Sequence, residues 1–142
     1  RLIDMDVEPF LIASTVNTIV GQRLVRKICE QCRTSVKVTA AALDGSVPLP
    51  FIIKYLGDKP ELRLYQGKGC AVCHQTGYVG RTGIFEVLEV SAKIRALIVA
   101  KADADAIEAQ AVSEGMSTML EAGLQKVALG ITTLEEVLRA VR

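Results

Sequence analysis

Two C-x-x-C pairs constrain this sequence more than any other feature. They contain all the cysteines of the chain, which are Cys29, Cys32, Cys70 and Cys73. Each pair can present two thiolates to one face of a zinc ion, with each sulfur about 2.3 Å from the metal, so two pairs complete a closed tetrahedral site. Glycines at 67, 69, 77 and 80 flank the second pair and allow the tight turns that such a site needs. The spacing therefore predicts a structural zinc ion bound by the four cysteines.

The alternatives for these residues are two disulfides, a redox-active pair, or a site in which His74 replaces one thiolate. Disulfides are disfavoured because nothing in the sequence marks a secreted protein. A redox-active pair does not require a second copy. With four thiolates available, a tetrahedral site has no need of the histidine.

The composition argues against several classes of protein. Half of the residues are hydrophobic but only 4% are aromatic, so the core must be aliphatic. The 17 Lys and Arg residues nearly balance the 16 Asp and Glu residues, so no overall field attracts nucleic acid or a membrane. No apolar run reaches the roughly 18 residues that a membrane span needs. No signal peptide is visible at the start, which lacks a methionine. We expect a piece of a longer cytoplasmic protein without a transmembrane segment.

The residues before the first pair predict the end of an α/β domain. A helix is predicted over 9–20, with Pro9 in its first turn and Gly21 at its end. A strand is predicted over 22–28, where it leads into Cys29.

The residues between the two pairs predict a small irregular zinc subdomain, because they contain little contiguous apolar sequence. Short helices are expected at 39–43 and 51–56, and a strand at 62–65. Metal ligation would supply the missing stability, on the order of 10–16 kcal/mol for structural zinc in small peptides. Loss of the metal is therefore expected to loosen residues 33–69 and to leave the C-terminal helices folded.

The second half of the chain predicts a strand at 84–90, followed by four helices. Polar caps and terminal glycines delimit the helices. The last helix has overlapping capping boxes. The helices are expected to begin at Ser91, near Asp103, at Ser117, and at Thr132 or Thr133. Because each helix carries an apolar stripe, we expect them to form one compact C-terminal bundle.

Three blocks of this sequence resemble a known family. They are QRLVRKIC at 22–29, GCAVCHQTGYVGRTGIFE at 69–86 and GITTLEEVLR at 130–139. In sequence and in order they are similar to the C-terminal third of the type II secretion and type IV pilus assembly ATPases, the GspE/PilB group.

The resemblance implies a domain organisation and a function. Residues 1–28 would end a RecA-like ATPase domain, residues 29–78 would be the tetracysteine zinc subdomain, and residues 79–142 would be a return strand and a C-terminal helical subdomain. The intact family members are implied to be hexamers at the cytoplasmic face of the inner membrane. They hydrolyse ATP with Mg²⁺ and thereby drive the assembly of a pilus or pseudopilus through a membrane platform protein.

The phosphate-binding loop of such an ATPase is absent from this chain. It would read G-x-x-x-x-G-K-[ST], with backbone amides around the phosphates and a hydroxyl on Mg²⁺. The only similar stretch, at 67–69, lacks both the spacing and the hydroxyl residue. We therefore expect no ATP hydrolysis by this chain alone and name no catalytic residue in it.

The basic residues near the cysteines have two interpretations. The first is a solvated edge that also compensates thiolate charge, and the second is contact with a nucleotide or a neighbouring subunit. The side chains concerned are Arg23, Arg26, Lys27 and Arg33. For Arg81, in a turn near the second pair, the alternatives are a nucleotide contact, a subunit interface or a plain salt bridge.

Two C-x-x-C pairs also occur in zinc ribbons that bind nucleic acid and in protein-docking modules. A zinc ribbon that binds nucleic acid is disfavoured by the net charge of +1 and by the long neutral tail, so we expect no nucleic-acid partner. A protein-docking module is compatible with the ATPase interpretation. Its candidate surface is the apolar stretch 49–53, in which Phe51 and Ile52 are the expected contact residues. The alternative is that these side chains pack inside the zinc subdomain, which we expect for Ile53 more than for Phe51.

Overall fold

The computed structural model describes residues 2, 5–43 and 45–141, which form a mixed α/β structure. A 3-10 turn covers Ala40–Leu43 and a π-helical turn covers Ile52–Leu56. No helix in the described ranges is both long and apolar enough to cross a membrane. The regular elements are α1 (Pro9–Thr15), β1 (Thr18–Ile28), β2 (Arg33–Thr39), α2 (Leu49–Phe51), β3 (Glu61–Gly67), β4 (Tyr78–Glu89), α3 (Ala92–Val99), α4 (Ala104–Ser113), α5 (Met119–Ala128) and α6 (Leu134–Val141).

Strand β1 pairs with β4, and β2 pairs with β3. The β2–β3 pair is an antiparallel hairpin whose register runs from Arg33 opposite Gly67 to Thr39 opposite Glu61. Strand β2 was not predicted from the sequence. By contacts the chain divides into two compact units, Arg1–Gly21 with Glu86–Thr118, and Gln22–Phe85 with Met119–Arg142.

In the first unit, helix α3 packs against α1 and α4. The predicted helix start at Ser91 is confirmed, because its hydroxyl accepts a hydrogen bond from the amide of Ile94 at 3.2 Å. Asp103 caps α4 in the same way, through the amide of Ala106 at 2.8 Å. The core contains Ile12, Ala13, Val90, Ile94, Ile98 and Ala111.

In the second unit, helices α5 and α6 pack on each other and share a core with the β2–β3 hairpin. The helices approach closely at Gly123, where an added Cβ would lie 2.3 Å from a methyl carbon of Val137. The buried core residues are Leu43, Val47, Ile52, Leu62, Leu64, Leu124, Val127, Leu134 and Val137.

The prediction of a single C-terminal bundle is therefore wrong. Helices α3 and α4 belong to a core with α1, whereas α5 and α6 belong to a core with the hairpin. An apolar stripe shows that a helix is buried on one side, but it does not say against which partner.

The predicted helix over 9–20 is wrong beyond Thr15. The hydroxyls of Ser14 and Thr15 donate to the carbonyl of Leu11 at 3.1 and 2.6 Å at the end of α1. Strand β1 then begins with three β-branched residues, whose side chains favour extended backbone. Gly21, predicted to end a helix, lies inside this strand.

The predicted docking stretch 49–53 is only partly exposed. Ile52 is 1% exposed and belongs to the core, so its predicted role as a contact residue is wrong. Ile53 is 44% exposed and more exposed than Phe51, so the expectation that Ile53 packs inside more readily than Phe51 is also wrong. Phe51 is half-buried and packs edge-on against Tyr55, with ring centroids 6.4 Å apart. Leu49 is exposed. A substitution at Ile52 would therefore test the core and not a surface.

Candidate metal centre

The ends of four strands bring the cysteines together. Cys29 follows the last residue of β1, and Cys32 directly precedes β2. Cys70 comes three residues after the end of β3, and the second pair lies before the start of β4. Each C-x-x-C pair is therefore the connection between two strands, and the hairpin joins the two pairs.

The four Sγ atoms all lie within 4.8 Å of one another. The Cys29–Cys70, Cys32–Cys73 and Cys70–Cys73 sulfur distances are 3.8, 3.9 and 3.7 Å. A tetrahedral ion with sulfurs at about 2.3 Å places those sulfurs roughly 3.8 Å apart, so the cluster has the dimensions of a four-thiolate site. A disulfide requires about 2.05 Å between sulfurs, and all four cysteines are free. The disulfide alternative therefore does not describe this structure.

The loop of the second pair contains two residues with left-handed backbone. His74 and Gln75 adopt left-handed backbone, with φ of 50° and 63°. The amide of Gln75 donates to the carbonyl of Cys70 at 2.9 Å and closes the turn. His74 is exposed and lies outside the cluster of possible ligands in the described part of the chain. Nothing in the geometry supports its replacing a thiolate.

Backbone amides donate to one sulfur in particular. The amides of Cys70 and Gly77 lie 3.1 and 3.3 Å from Sγ of Cys73. Burial raises the pKa of the Cys73 thiol, but these amides, together with hydrogen bonds from the thiols of Cys70 and Cys32, outweigh burial and lower the pKa to about 6. For Cys32, burial dominates and raises the pKa to about 11. Because metals bind thiolates, the lowered pKa of Cys73 favours the form of this side chain that binds metal.

A buried carboxylate lies beside the strand that enters the centre. Glu136, 2% exposed, accepts hydrogen bonds from the guanidinium of Arg26 at 2.7 Å and from its amide at 3.0 Å. The guanidinium of Arg139 donates to both carboxylate oxygens, at 3.2 and 2.9 Å. The bond from Arg26 is the largest cause of a lowered pKa of Glu136, to about 2, against the opposing effect of burial. Arg26 also stacks over the ring of Tyr78, 4.1 Å from its centroid.

This pairing corrects the sequence interpretation of the basic residues. Arg26 compensates a buried carboxylate, and neither a solvated edge nor thiolate compensation describes its main contact. Arg33 lies over the ring of Tyr65 and donates to the carbonyl of Gly130 at 3.4 Å. Glu136 was not predicted as a partner of Arg26 from the sequence. The available signal was its place in the predicted capping box. One bond of that box is present, from the amide of Glu136 to the hydroxyl of Thr133 at 3.4 Å, while the carboxylate accepts hydrogen bonds from arginines.

Comparison with known proteins places the whole chain in one family. The family model described as "Type II/IV secretion system protein" matches residues 1–139. The chain belongs to this secretion family. It is 44% identical over 142 residues to a type IV pilus assembly ATPase PilB of Thermus thermophilus, covering 97% of this chain and 15% of that protein.

Other members of the secretion family are similarly close. The chain is 40% identical to the type II secretion system protein HxcR of Pseudomonas aeruginosa, covering 100% of this chain and 25% of that protein. It is 38% identical to the type II secretion system ATPase E of Vibrio cholerae, covering 100% and 26%. The chain thus spans between about a seventh and a quarter of the length of these relatives. The predicted resemblance is confirmed.

Arg81, the remaining candidate of the sequence analysis, lies on β4 in this member of the secretion family. Its side chain is exposed and lines an open depression with Arg26, Thr76, Tyr78 and Gly80. It forms no ion pair with any residue in the described ranges. Among the described residues, Arg81 therefore has no salt-bridge partner, and its positive charge faces solvent.

Proposed function

We propose that this chain is the zinc-binding and helical region of a secretion or pilus-assembly ATPase. The observation that carries the proposal is the match of residues 1–139 to the secretion family together with relatives named as ATPases. In this proposal, the whole protein couples ATP hydrolysis, with Mg²⁺, to assembly of a pilus or pseudopilus.

Zinc is the proposed metal because four thiolates form the typical ligand set of a structural zinc site. Cys29, Cys32, Cys70 and Cys73 would hold it. A closed site with four protein ligands leaves no position for water or substrate, so its contribution is structural. The ion would connect the start of β2 and the end of β3 to the end of β1 and the start of β4.

The domain organisation is proposed on the family resemblance. Residues 1–28 would complete a RecA-like ATPase domain, 29–78 would form the zinc subdomain, and 79–142 would contain the return strand and the C-terminal helices. The protein is proposed to act as a hexamer at the cytoplasmic face of the inner membrane, with a membrane platform protein as partner. The relatives named as a pilus assembly ATPase and a secretion system ATPase support the ATPase activity on which this organisation depends.

The 142-residue chain is expected to show no Mg²⁺-dependent ATP hydrolysis above background, because it lacks a phosphate-binding loop. A longer protein that carries this chain together with such a loop is expected to hydrolyse ATP. Phosphate release measured for both proteins at equal concentration tests the proposal. Turnover by the 142-residue chain, or an inactive longer protein that is folded and oligomeric, would contradict it.

Arg81 is proposed to contact nucleotide or a neighbouring subunit in the longer protein. A charge-assisted hydrogen bond is worth about 1.5–3 kcal/mol, so Arg81→Ala is expected to lower kcat/KM for ATP about tenfold or more. The matched control is Arg63→Ala, which removes another exposed arginine, on β3. Equal and small effects of the two substitutions would refute the assignment.

A further inference from the structure

Gly77 lies where the two cysteine pairs meet, although it is not a ligand. Its amide donates to Sγ of Cys73 at 3.3 Å, and its carbonyl accepts a hydrogen bond from the amide of Cys29 at 2.9 Å. One peptide segment therefore contacts a ligand residue from each pair. We propose that Gly77 is a positioning residue of the metal centre, which holds the Cys73 thiolate and the first pair in the geometry that binds metal. This inference rests on the proposed metal site.

The contact requires glycine for two separate reasons. Gly77 has a φ of 77°, in the left-handed region where side chains are strained. An added Cβ would also lie 2.7 Å from the carbonyl oxygen of Gly67, which is closer than real Cβ atoms come to other heavy atoms. A larger residue would therefore have to move the backbone that carries the amide and the carbonyl.

Gly67 is the other half of this close approach. It ends β3, and an added Cβ there would lie 2.1 Å from the carbonyl oxygen of Gly77. Its φ is outside the left-handed region, so alanine at this position adds no backbone strain of that kind. Next to it, the amide of Lys68 donates to the carbonyl of Cys32 at 3.1 Å. The two glycines thus allow the end of the hairpin and the end of the second pair to close around the sulfurs.

The hydrogen bonds made by Gly77 act on the metal through its ligands. An amide that donates to a thiolate stabilises the charged form that binds metal and fixes the direction of the sulfur. Loss of such a supporting contact typically lowers metal affinity about 10–100-fold. The same loss distorts the arrangement of sulfurs, which should alter the absorption of Co²⁺ bound in place of Zn²⁺.

Three variants of the 142-residue chain test the proposal. Gly77→Ala removes the contact directly, and Gly67→Ala displaces Gly77 without changing it. Gly80→Ala is the matched control, because Gly80 has a φ of 72° and an added Cβ there would meet nothing within 4 Å. We expect the first two variants to bind Zn²⁺ about 10–100-fold more weakly in competition with a chelator. We expect their Co²⁺ spectra to be altered, and Gly80→Ala to match the wild-type chain in both measurements.

The Co²⁺ spectrum at saturating metal separates positioning from general destabilisation. General destabilisation weakens metal binding only, whereas loss of a positioning contact also alters the spectrum of the fully bound form. If Gly77→Ala fails to fold, Gly67→Ala decides the question. Wild-type affinity and an unchanged Co²⁺ spectrum in Gly67→Ala would overturn the proposal, as would an equal loss of affinity in Gly80→Ala. A wild-type chain that binds no metal would instead overturn the metal centre itself.

Discussion

Replacing Cys73 with serine is expected to abolish tight zinc binding and to unfold the β2–β3 hairpin together with helices α5 and α6. The hairpin and the two helices share one core, which includes Leu64 and Leu124. Structural zinc contributes on the order of 10–16 kcal/mol in small peptides, which exceeds the total stability of most small domains. This expectation differs from the one drawn from the sequence, which left all the C-terminal helices folded without metal.

Hydrogen exchange measured by segment, together with the zinc content of the purified chain, tests this result. Amides of α5 and α6 should lose protection in Cys73→Ser, whereas α3 and α4 should keep it because they pack in a different core. The control is His74→Ala, which changes the next residue in the chain but removes no ligand, and which should retain zinc. Zinc retained at wild-type affinity by Cys73→Ser, or full protection of α5 in the metal-free chain, would refute the expectation.

The local features of the fold could be predicted because their causes lie close together in the sequence. The cysteine spacing determines which residues can reach one ion, and the structure brings those four sulfurs together. The cap at Ser91 depends on a few neighbouring residues. For each C-x-x-C pair and for the cap at Ser91, the physical requirement is met within four consecutive residues.

The features that were missed depend on contacts between distant residues. Strand β2 has only Val36 and Val38 as apolar residues, and its pairing with β3 supplies the hydrogen bonds that the local sequence cannot specify. The apolar stripe of a helix does not identify the element against which the helix packs, so all four C-terminal helices were assigned to one bundle. Arg26 and Glu136 are separated by 110 positions, and nothing near either residue indicates the other.

The ion pair of Arg26 and Glu136 also leads to a prediction about acid stability. Glutamate in an unfolded chain has a pKa of about 4.3, whereas Glu136 in the folded chain has a pKa of about 2. The folded state therefore binds the proton less readily than the unfolded state. The resulting stabilisation is fully present above about pH 5 and is lost progressively as the pH falls toward 2. The difference between the two pKa values corresponds to about 3 kcal/mol.

Glu136→Gln is expected to lower the free energy of unfolding by about 2–3 kcal/mol at pH 7, because it removes the charge that two arginines share. This loss of unfolding free energy is smaller than is usual for a broken buried ion pair. The side chains of Arg26 and Arg139 are 47% and 61% exposed, so water can solvate them in the variant. Denaturant unfolding at pH 7 and at pH 3.5 measures the difference between the two proteins. That difference should shrink at the lower pH, although acid also displaces metal from thiolates in both proteins.

Glu135→Gln is the matched control for this measurement. Glu135 is the neighbouring carboxylate on the same helix, but its side chain is exposed. Its substitution should change the free energy of unfolding by no more than about 0.5 kcal/mol at either pH, as is usual for surface positions. A pH-independent difference between Glu136→Gln and the wild-type chain would mean that the side chain acts through packing alone. Equal effects of the two substitutions would show that Arg26 and Arg139 do not stabilise a buried charge.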